Sequence, residues 1–263
     1  MNILDKIAAV KREEVKSRKI TNPLSVLERS VFFNRKVPSF YDALSMPEPS
    51  VIGEFKRKSP SRGDINPDAS IRKVAVGYQD AGIAAMSVLT DEEFFGGKNS
   101  DLQDVAGLLK IPVLRKDFIV DEYQVVEAKS IGAGAILLIA SILTKMEVDT
   151  LSGLALELGL DILFEIHDLP DLDKMSKNIK IIGVNNRNLK TFDISMDNSD
   201  ELYQHLPKEC LKVAESGFQT AEDVIRLFKK GYDAFLIGER FMRSGDPGKS
   251  ASIFINNLKN LVE

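Results

Sequence analysis

Six short apolar runs of this chain each end at side chains that are able to do chemistry. The runs are VIGEFK, IPVLRKDF, ILFEI, IIGVNNR, LKVAESG and AFLIGE. The reactive or polar residues at their ends are Glu54, Lys56, Lys116, Glu165, Asn185, Arg187, Glu215 and Glu239. A strand buried on both faces is expected to be apolar throughout, so a charge at its carboxyl end is either costly or lies at an opening. Because the pattern occurs six times, it favours an opening lined with functional groups.

Lys116 and Glu165 are the residues of this set best suited to proton transfer. Burial and mutual attraction can bring an ammonium and a carboxylate toward the pKa values of a general acid and a general base. The alternative is an ordinary buried ion pair. Asn185 adds a neutral hydrogen-bonding group, and Arg187 can clamp a carboxylate or a phosphate with two parallel hydrogen bonds.

The loop EFKRKSPSRG after the first run carries a concentration of positive charge. Lys56, Arg57, Lys58 and Arg62 lie within seven residues of one another, next to Glu54. On an acidic protein, such a loop at the end of a strand predicts an anionic substrate. The alternative is a solvated loop whose charges have no function.

Two glycine-bearing turns and two phenylalanines complete the candidate site. Ser216-Gly217 and Gly238-Glu239 follow the last two runs. Glycine there would let backbone N–H groups approach a phosphate. The alternative is that both glycines only form turns. Phe95 and Phe118 are candidates for an apolar slot that takes a flat ring, although each alone is more often a packing residue. His167 and Cys210 receive no role.

Alternating strand and helix patterns provide the elements that position these residues. Eight strand and helix units in this rhythm predict a parallel sheet closed into a (β/α)₈ barrel over residues 51–263. Residues 1–50 are expected to form an N-terminal helical extension. Gly82, Gly132 and Gly231 are expected to end helices in the left-handed conformation. The predicted strands are Val51–Phe55, Ala84–Leu89, Pro112–Arg115, Ala135–Ile139, Ile162–Glu165, Ile181–Asn185, Lys212–Glu215 and Ala234–Ile237. The predicted helices are 4–19, 24–29, 71–81, 102–109, 122–131, 145–158, 221–230 and 250–261.

The composition limits the classes of protein to which the chain can belong. The net charge of −4 over 263 residues argues against a general nucleic-acid binder. One cysteine excludes an internal disulfide, and two histidines exclude a multi-histidine metal site. No apolar run approaches the roughly 18 residues that span a bilayer. We therefore expect a cytoplasmic protein that binds a small anionic molecule, with no metal, nucleic acid, membrane or obligate protein partner.

The motifs at the strand ends resemble those of one known family. EFKRKSPSRG, TDEEFFGG, VLRKDFIVDEYQ, LLIASIL, FEIHD, GVNNRNL, VAESG and FLIGERFMR occur in order between Val51 and Arg243. Together they resemble the indole-3-glycerol phosphate synthase family. The resemblance implies ring closure of 1-(2-carboxyphenylamino)-1-deoxyribulose 5-phosphate, with loss of carbon dioxide and water and without a cofactor.

The resemblance also implies roles for single residues. Lys116 would be the general acid, and Glu165 would take part in proton transfer during dehydration. The implied assisting residues are Glu54 and Lys56, and those that hold the reacting groups are Asn185 and Glu215. The implied substrate-binding residues are Ser59, Phe95, Phe118, Arg187, Leu189, Ser216, Gly217, Gly238 and Glu239. The side chain of Glu239 is expected to point away from the phosphate, leaving its backbone N–H to help.

Two other functions are less consistent with the sequence. A phosphoribosylanthranilate isomerase is expected to have a cysteine at the end of the first strand, where this chain has Glu54. A catalytically silent barrel that only binds a sugar phosphate would not need Lys116, Glu165, Glu54 and Asn185 together. The chain ends about twenty residues after the last motif, so we expect a stand-alone enzyme rather than a fused one.

Overall fold

A computed structural model describes residues 3–187 and 193–262, and its centre is a closed barrel of eight parallel strands. Each strand pairs with its neighbours in chain order, and the last strand pairs with the first. The predicted (β/α)₈ barrel is therefore confirmed. Its strands are β1 Ser50–Phe55, β2 Ala85–Leu89, β3 Val113–Lys116, β4 Ala135–Ile139, β5 Asp161–Ile166, β6 Ile181–Asn185, β7 Leu211–Glu215 and β8 Ala234–Ile237.

Helices connect the strands and cover the outside of the barrel. They are α1 Ile3–Thr21, α2 Leu24–Leu27, α3 Phe40–Leu44, α4 Ile71–Asp80, α5 Asn99–Ala106, α6 Glu122–Ser130, α7 Lys145–Glu157, α8 Leu169–Leu172, α9 Asp197–Leu202, α10 Ala221–Lys230, α11 Glu239–Met242 and α12 Pro247–Val262. Thr144 and Thr220 begin α7 and α10 with capping boxes, in which side chains satisfy the free N–H groups of the first turn. Gly82, Gly132 and Gly231 have φ values of 86°, 91° and 115°, as predicted from their positions after helices.

The eight strands lie within one residue of their predicted bounds, whereas several short helices were not predicted. The unpredicted helices are α3, α8, α9 and α11, which have four to six residues each. A segment of one turn is too short to show a helical period, so periodicity could not reveal it. Helix α5 also begins and ends three residues before its predicted range.

Helix α3 covers the base of the barrel, where the strands begin. Phe40 and Leu44 are fully buried in one cluster with residues near the amino ends of the strands, such as Ala85 and Ala135. The carboxylate of Asp161, at the start of β5, accepts hydrogen bonds from the backbone N–H groups of Phe40 and Tyr41 at 2.7 and 3.0 Å. These bonds satisfy free donors at the helix start and fix α3 to the sheet.

Helix α1 packs at the opposite end, next to the carboxyl ends of β2 and β3. Its residue Lys11 is 1% exposed, and its Nζ lies 2.9 Å from Asp91 and 3.2 Å from Asp117. Arg115 is also fully buried and pairs with Asp117 at 3.1 Å and Glu127 at 2.6 Å. We call Lys11, Arg115, Asp91, Asp117 and Glu127 the Lys11 cluster. The extension therefore contacts both ends of the barrel, while its treatment as a separate unit over residues 1–50 stays a prediction.

No helix within residues 3–187 and 193–262 is long and apolar enough to cross a membrane.

Candidate active site

A cleft at the carboxyl ends of the strands brings together most of the predicted site residues. Its empty volume, which includes the open solvent at its mouth, is about 750 Å³. The predicted residues that line it are Glu54, Lys56, Ser59, Phe95, Lys116, Phe118, Glu165, Asn185, Arg187, Glu215 and Ser216. All six predicted catalytic residues thus share one cavity.

Lys116 occupies the centre of a buried group of charges. Its Nζ lies 2.5 Å from Oε2 of Glu215 and 3.2 Å from Oε2 of Glu165. Burial alone would lower the pKa of the Lys116 ammonium, but attraction to Glu215, Glu165 and Glu54 outweighs it and raises that pKa. Lys116 is therefore a charged hydrogen-bond donor at neutral pH. We call Lys116, Lys56, Glu54, Glu165 and Glu215 the Lys116 cluster.

The carboxyl groups of this cluster differ in their affinity for protons. Burial raises the pKa of Glu215 to about 8 against the attraction of Lys116. In Glu165 and Glu54, burial also acts to raise the pKa, but the neighbouring lysines outweigh it and lower it. Glu215 is thus the carboxyl group of the cluster with the highest affinity for a proton, and its two neighbours ionise before it. Groups whose pKa values are pushed apart in this way can serve as an acid and a base in one site.

Glu54 owes its position to a glycine directly after the neighbouring strand β8. Its Oε1 lies 2.8 Å from Nζ of Lys56. A Cβ atom at Gly238 would lie 2.7 Å from the same oxygen and 2.8 Å from Cβ of Glu54. Only a residue without a side chain leaves room for this carboxylate. Gly238 therefore has a packing role next to Glu54, in addition to its predicted role at the phosphate.

The two predicted phenylalanines form one side of the cleft. The ring centroids of Phe95 and Phe118 are 5.9 Å apart, with planes tilted by 37°. Asp91 fixes the loop that carries Phe95, because its Oδ1 accepts hydrogen bonds from the backbone N–H groups of Phe94 and Phe95. Asp91 also pairs with Lys11, so this aromatic wall is connected to helix α1.

A second, smaller cavity adjoins the cleft beside the last two strands. It is lined by Ser216, Gly217, Gly238, Glu239 and Arg62, among others. Ser216 has a φ of 69°, and among the described residues it is the only non-glycine with a positive φ. Such conformations are costly and concentrate at functional sites. Together with Gly217, at a φ of 98°, Ser216 forms a turn whose shape suits backbone contacts to an anion.

Glu239 does not follow its expected orientation. Its carboxylate oxygens lie 3.3 Å from Nε of Arg62 and 3.5 Å from Nη2 of Arg187. The expectation that this side chain points away from the candidate phosphate site is therefore wrong. Two arginines attract the carboxylate into the same cavity, an effect that the sequence position alone did not reveal.

Within residues 3–187 and 193–262, no three His, Cys, Asp or Glu side chains are grouped in a way that could hold a metal ion.

Known proteins match the chain over nearly its whole length. A family model described as indole-3-glycerol phosphate synthase matches residues 4–253. A curated relative of that name from Bacteroides thetaiotaomicron is 41% identical over 261 residues, which cover 98% of this chain and 99% of the relative. The chain belongs to the indole-3-glycerol phosphate synthase family. A second member, from Albidiferax ferrireducens, is 40% identical over 252 residues, covering 94% of this chain and 96% of the relative.

Solved structures with lower identity share the barrel. The 3-hexulose-6-phosphate synthase from Salmonella typhimurium superposes with a TM-score of 0.63 at 12% identity, covering 80% of this chain and 99% of that one. KGPDC from Streptococcus mutans gives 0.62 at 11% identity, covering 82% of this chain and 100% of that one. At such identities the likeness shows the fold alone.

Not every residue that the family resemblance or the charge pattern indicated lies in the cleft. The guanidinium group of Arg57 pairs with Asp101 and stacks over the Phe55 ring at 4.6 Å, so it serves packing outside the cleft. Lys58 is exposed on a two-residue strand. The predicted substrate-binding residue Leu189 lies outside the described residues.

Two residues near the site have contacts that we did not predict from the sequence. His167 was given no role, yet its Nε2 lies 3.4 Å from Oε1 of Glu165. Ser61 accepts a hydrogen bond from Nη1 of Arg187 at 3.1 Å. The sequence did contain a signal for His167, because it lies two residues after Glu165. In an extended segment, side chains two residues apart point to the same side.

Proposed function

We propose that the cleft of this indole-3-glycerol phosphate synthase family member closes the indole ring of 1-(2-carboxyphenylamino)-1-deoxyribulose 5-phosphate. The products are indole-3-glycerol phosphate, carbon dioxide and water. The observation that carries the proposal is the charged Lys116, held between Glu165 and Glu215 at the open end of the barrel. A phenylalanine slot lies on one side of this lysine and a phosphate-type turn lies in the adjoining cavity.

Ring closure requires the substrate carbonyl to become more electrophilic while the aromatic ring lies next to it. Lys116 donates a hydrogen bond to the carbonyl oxygen and then a proton, which is general acid catalysis. Phe95 and Phe118 hold the anthranilate ring against the apolar side of the cleft. Proximity of the ring carbon and the activated carbonyl supplies a large part of the rate.

Dehydration requires one group that gives a proton to the leaving hydroxyl and another that accepts a proton from the ring. Glu165 carries out proton transfer at this step, assisted by Glu54 and Lys56. The raised pKa of Glu215, about 8, makes this carboxyl a hydrogen-bond donor that orients the reacting groups. Asn185 lines the cleft, forms a side-chain hydrogen bond with Glu165, and orients the substrate as a neutral partner.

The phosphate of the substrate binds at the turn after β7 and at the end of β8. Its expected donors are the backbone N–H groups of Ser216, Gly217 and Gly238 and the Ser216 hydroxyl. Arg187 and Ser59 bind the remaining anionic and polar groups. Glu239 competes with the phosphate for Arg62 and Arg187, which keeps the two arginines neutralised until substrate arrives. Leu189 stays a prediction as a contact residue.

Chemical reasoning argues for catalysis without a cofactor. Loss of carbon dioxide restores the aromatic ring, and dehydration completes the indole, with no net oxidation or reduction. The composition further supports a cytoplasmic enzyme that acts on a small molecule without an obligate protein partner.

A fluorescence time course tests this proposal. Purified protein is mixed with the carboxyphenylamino deoxyribulose phosphate, and indole fluorescence is followed beside Lys116→Ala. We expect rapid product formation by the wild-type protein and turnover that is lower by roughly 10²–10⁴ in the variant. Absence of product from the wild-type protein, with phosphate-dependent binding of the substrate, would instead favour a non-catalytic barrel. Near-wild-type turnover in Lys116→Ala would exclude the acid role of Lys116.

A further inference from the structure

The inference concerns how a proton reaches the buried carboxylate of Glu165, and it rests on the proposed function. At neutral pH the substrate carries an ionised carboxylate, which leaves as neutral carbon dioxide. The electron pair left behind restores the aromatic ring, and the carbonyl oxygen needs one proton more than the substrate supplies in order to leave as water, so each turnover consumes one proton from solvent. A site with buried acids must be able to take up that proton while the substrate fills the cleft.

The two oxygens of Glu165 face different neighbours. Oε2 lies 3.2 Å from Nζ of Lys116, on the cleft side. Oε1 lies 3.4 Å from Nε2 of His167. Among the described residues that line the cleft, His167 is absent, so its ring lies behind the carboxylate. The Glu165 side chain itself is only 2% exposed, so exchange of its proton with bulk water needs a neighbour.

His167 connects this buried oxygen to the surface of the protein. Its Nδ1 lies 3.1 Å from Oγ of Ser141, which is an exposed residue on the turn after β4. Ser141 also donates a hydrogen bond to Asp171, and Asp171 accepts one from the backbone N–H of His167. Asp171 is itself paired with Lys174 at 3.6 Å. These bonds hold the imidazole between the Glu165 carboxylate and solvent.

Nε2 of His167, the ring nitrogen that faces Glu165, is available for proton transfer. Nε2 of His167 is a buried polar atom without a hydrogen-bond partner within the described part of the chain. A buried donor or acceptor without a partner is costly, and such atoms call for a functional explanation. Imidazole is suited to proton transfer near neutral pH because it can take a proton on one nitrogen and release another from the second.

We infer that His167 is a proton conduit that reloads Glu165 from solvent through the Ser141 side of the barrel. The Ser141 hydroxyl turns from Asp171 to Nδ1 and passes its proton there while it takes one from water, and the ring releases its Nε2 proton to Oε1 of Glu165. Glu165 then gives a proton to the reacting substrate. The neutral ring, left with its proton on Nδ1, returns to the starting tautomer when its side chain turns Nε2 to solvent, where the two nitrogens exchange protons with water. One proton enters from solvent, and one is consumed in each turnover.

Two variants separate a conduit from a residue that only orients Glu165. His167→Gln keeps an amide N–H able to face the carboxylate but cannot relay a proton. His167→Ala leaves a space that free imidazole can enter. We expect both to lower kcat about 10-fold, which is less than the 10²–10⁴ loss of a direct acid or base, while KM changes less than twofold. His205→Gln, which alters the only other histidine, is the matched control and is expected to keep wild-type kcat.

Chemical rescue is the readout that a merely structural role would not change. Imidazole added to His167→Ala is expected to restore most of kcat in proportion to its protonated fraction across pH 6–9. Pyrazole, a ring of the same size that is not protonated in this range, is expected not to restore it. Wild-type kcat in His167→Gln, or equal rescue by pyrazole, would overturn the conduit while leaving the proposed function intact. Absence of indole product from the wild-type protein would overturn both.

Discussion

The Lys116 cluster and the Lys11 cluster contain equal numbers of basic and acidic side chains. They differ in how well the cations of each cluster compensate its carboxylates. Each has two basic side chains and three carboxylates, and both include residues of the segment from Arg115 to Asp117 at the end of β3. In the Lys11 cluster, Arg18 adds a third cation beside Glu127, and Thr90 donates a hydrogen bond to Asp117 at 2.7 Å. Within the described residues each cluster has one buried atom without a hydrogen-bond partner, Nζ of Lys11 and Oε1 of Glu215, but Nζ of Lys11 lies within 3.2 Å of three carboxylates.

This difference separates a structural role from a chemical one. Burial acts to raise the pKa of Asp117, but Lys11 and Arg115 outweigh it and hold that pKa well below its usual range. The pKa of Glu215 moves the other way, to about 8, because burial together with the charges of Glu165 and Glu54 raises it by more than Lys116 lowers it. A buried charge network in which the cations hold every carboxyl group ionised stabilises a conformation, whereas a network at a cleft with one carboxyl of raised pKa retains a group that can exchange protons.

The largest effect is expected when the same substitution removes each buried lysine. Lys116→Met should lower kcat by roughly 10²–10⁴ through loss of the general acid. Its free energy of unfolding should change less than that of Lys11→Met, because Glu215 already takes up a proton. Steady-state kinetics and urea unfolding of both variants test this pair. Equal losses of kcat in the two variants would show that the clusters do not differ in role.

The reciprocal effect is expected at Lys11. Lys11→Met should lower the free energy of unfolding by about 3 kcal/mol, since it leaves Asp91 and part of Asp117 buried without their cation. Turnover per folded molecule should fall less than 10-fold, through the Asp91 contact to the Phe95 loop. Lys11→Arg is the control, because it keeps the charge and should recover part of the stability. An unfolding curve that does not change in Lys11→Met would contradict the structural role.

The pH dependence of stability should distinguish the two clusters by its sign. A carboxyl whose pKa is higher in the folded than in the unfolded protein binds a proton on folding, so its contribution to stability falls as pH rises between the two values. For Glu215 these values are 4.5 and about 8. Glu215→Gln should therefore gain stability relative to wild type by about 2 kcal/mol from pH 5.5 to 7.5.

Asp117 should show the opposite sign in acid. Its pKa is lowered by folding from an ordinary value of 3.8, so the stability that it provides is present above that pH and is lost as pH falls further. Urea unfolding of wild type, Glu215→Gln and Asp117→Asn at several pH values measures both trends. If the free energies of unfolding of Glu215→Gln and wild type differ by the same amount from pH 5.5 to 7.5, Glu215 ionises normally.

The smallest effect is expected in the adjoining cavity. Ser216→Ala should raise KM about 3-fold with little change in kcat, since a typical hydrogen bond contributes only about 1 kcal/mol. Ser216→Gly removes the same hydroxyl but suits the positive φ of this residue better. A similar KM for the two variants would assign the effect to the hydroxyl, whereas a normal KM for Ser216→Gly alone would assign it to the backbone.

The sequence predicted the Lys116 cluster much better than the Lys11 cluster. Strand ends show in a sequence as apolar runs that stop at a charge, so Glu54, Lys116, Glu165 and Glu215 could be identified from their runs. Lys11 lies on the buried face of α1, four residues after Ile7 and four before Val15, among residues that predict an apolar stripe. A single lysine in such a stripe does not reveal which carboxylates it meets.

The remaining errors have a similar cause. The pairing of Glu239 with Arg62 and Arg187 joins β8 to two distant loops, and the contact of His167 with Ser141 joins the ends of β5 and β4. The local sequence pattern predicts where each residue lies along its own strand or helix. Contacts between loops depend on side-chain directions that only the closed barrel sets.

The alternation of side chains at the end of β3 has a consequence for engineering. Lys116 faces the cleft, while the side chains of Asp117 and Arg115 pair with Lys11 of α1 and Glu127 of α6; Asp117 also lines the cleft. Substrate range can therefore be altered on one side of the strand and heat tolerance on the other, by libraries that need not overlap. An insertion or deletion of one residue just before Arg115 would exchange the two sides and abolish both properties together.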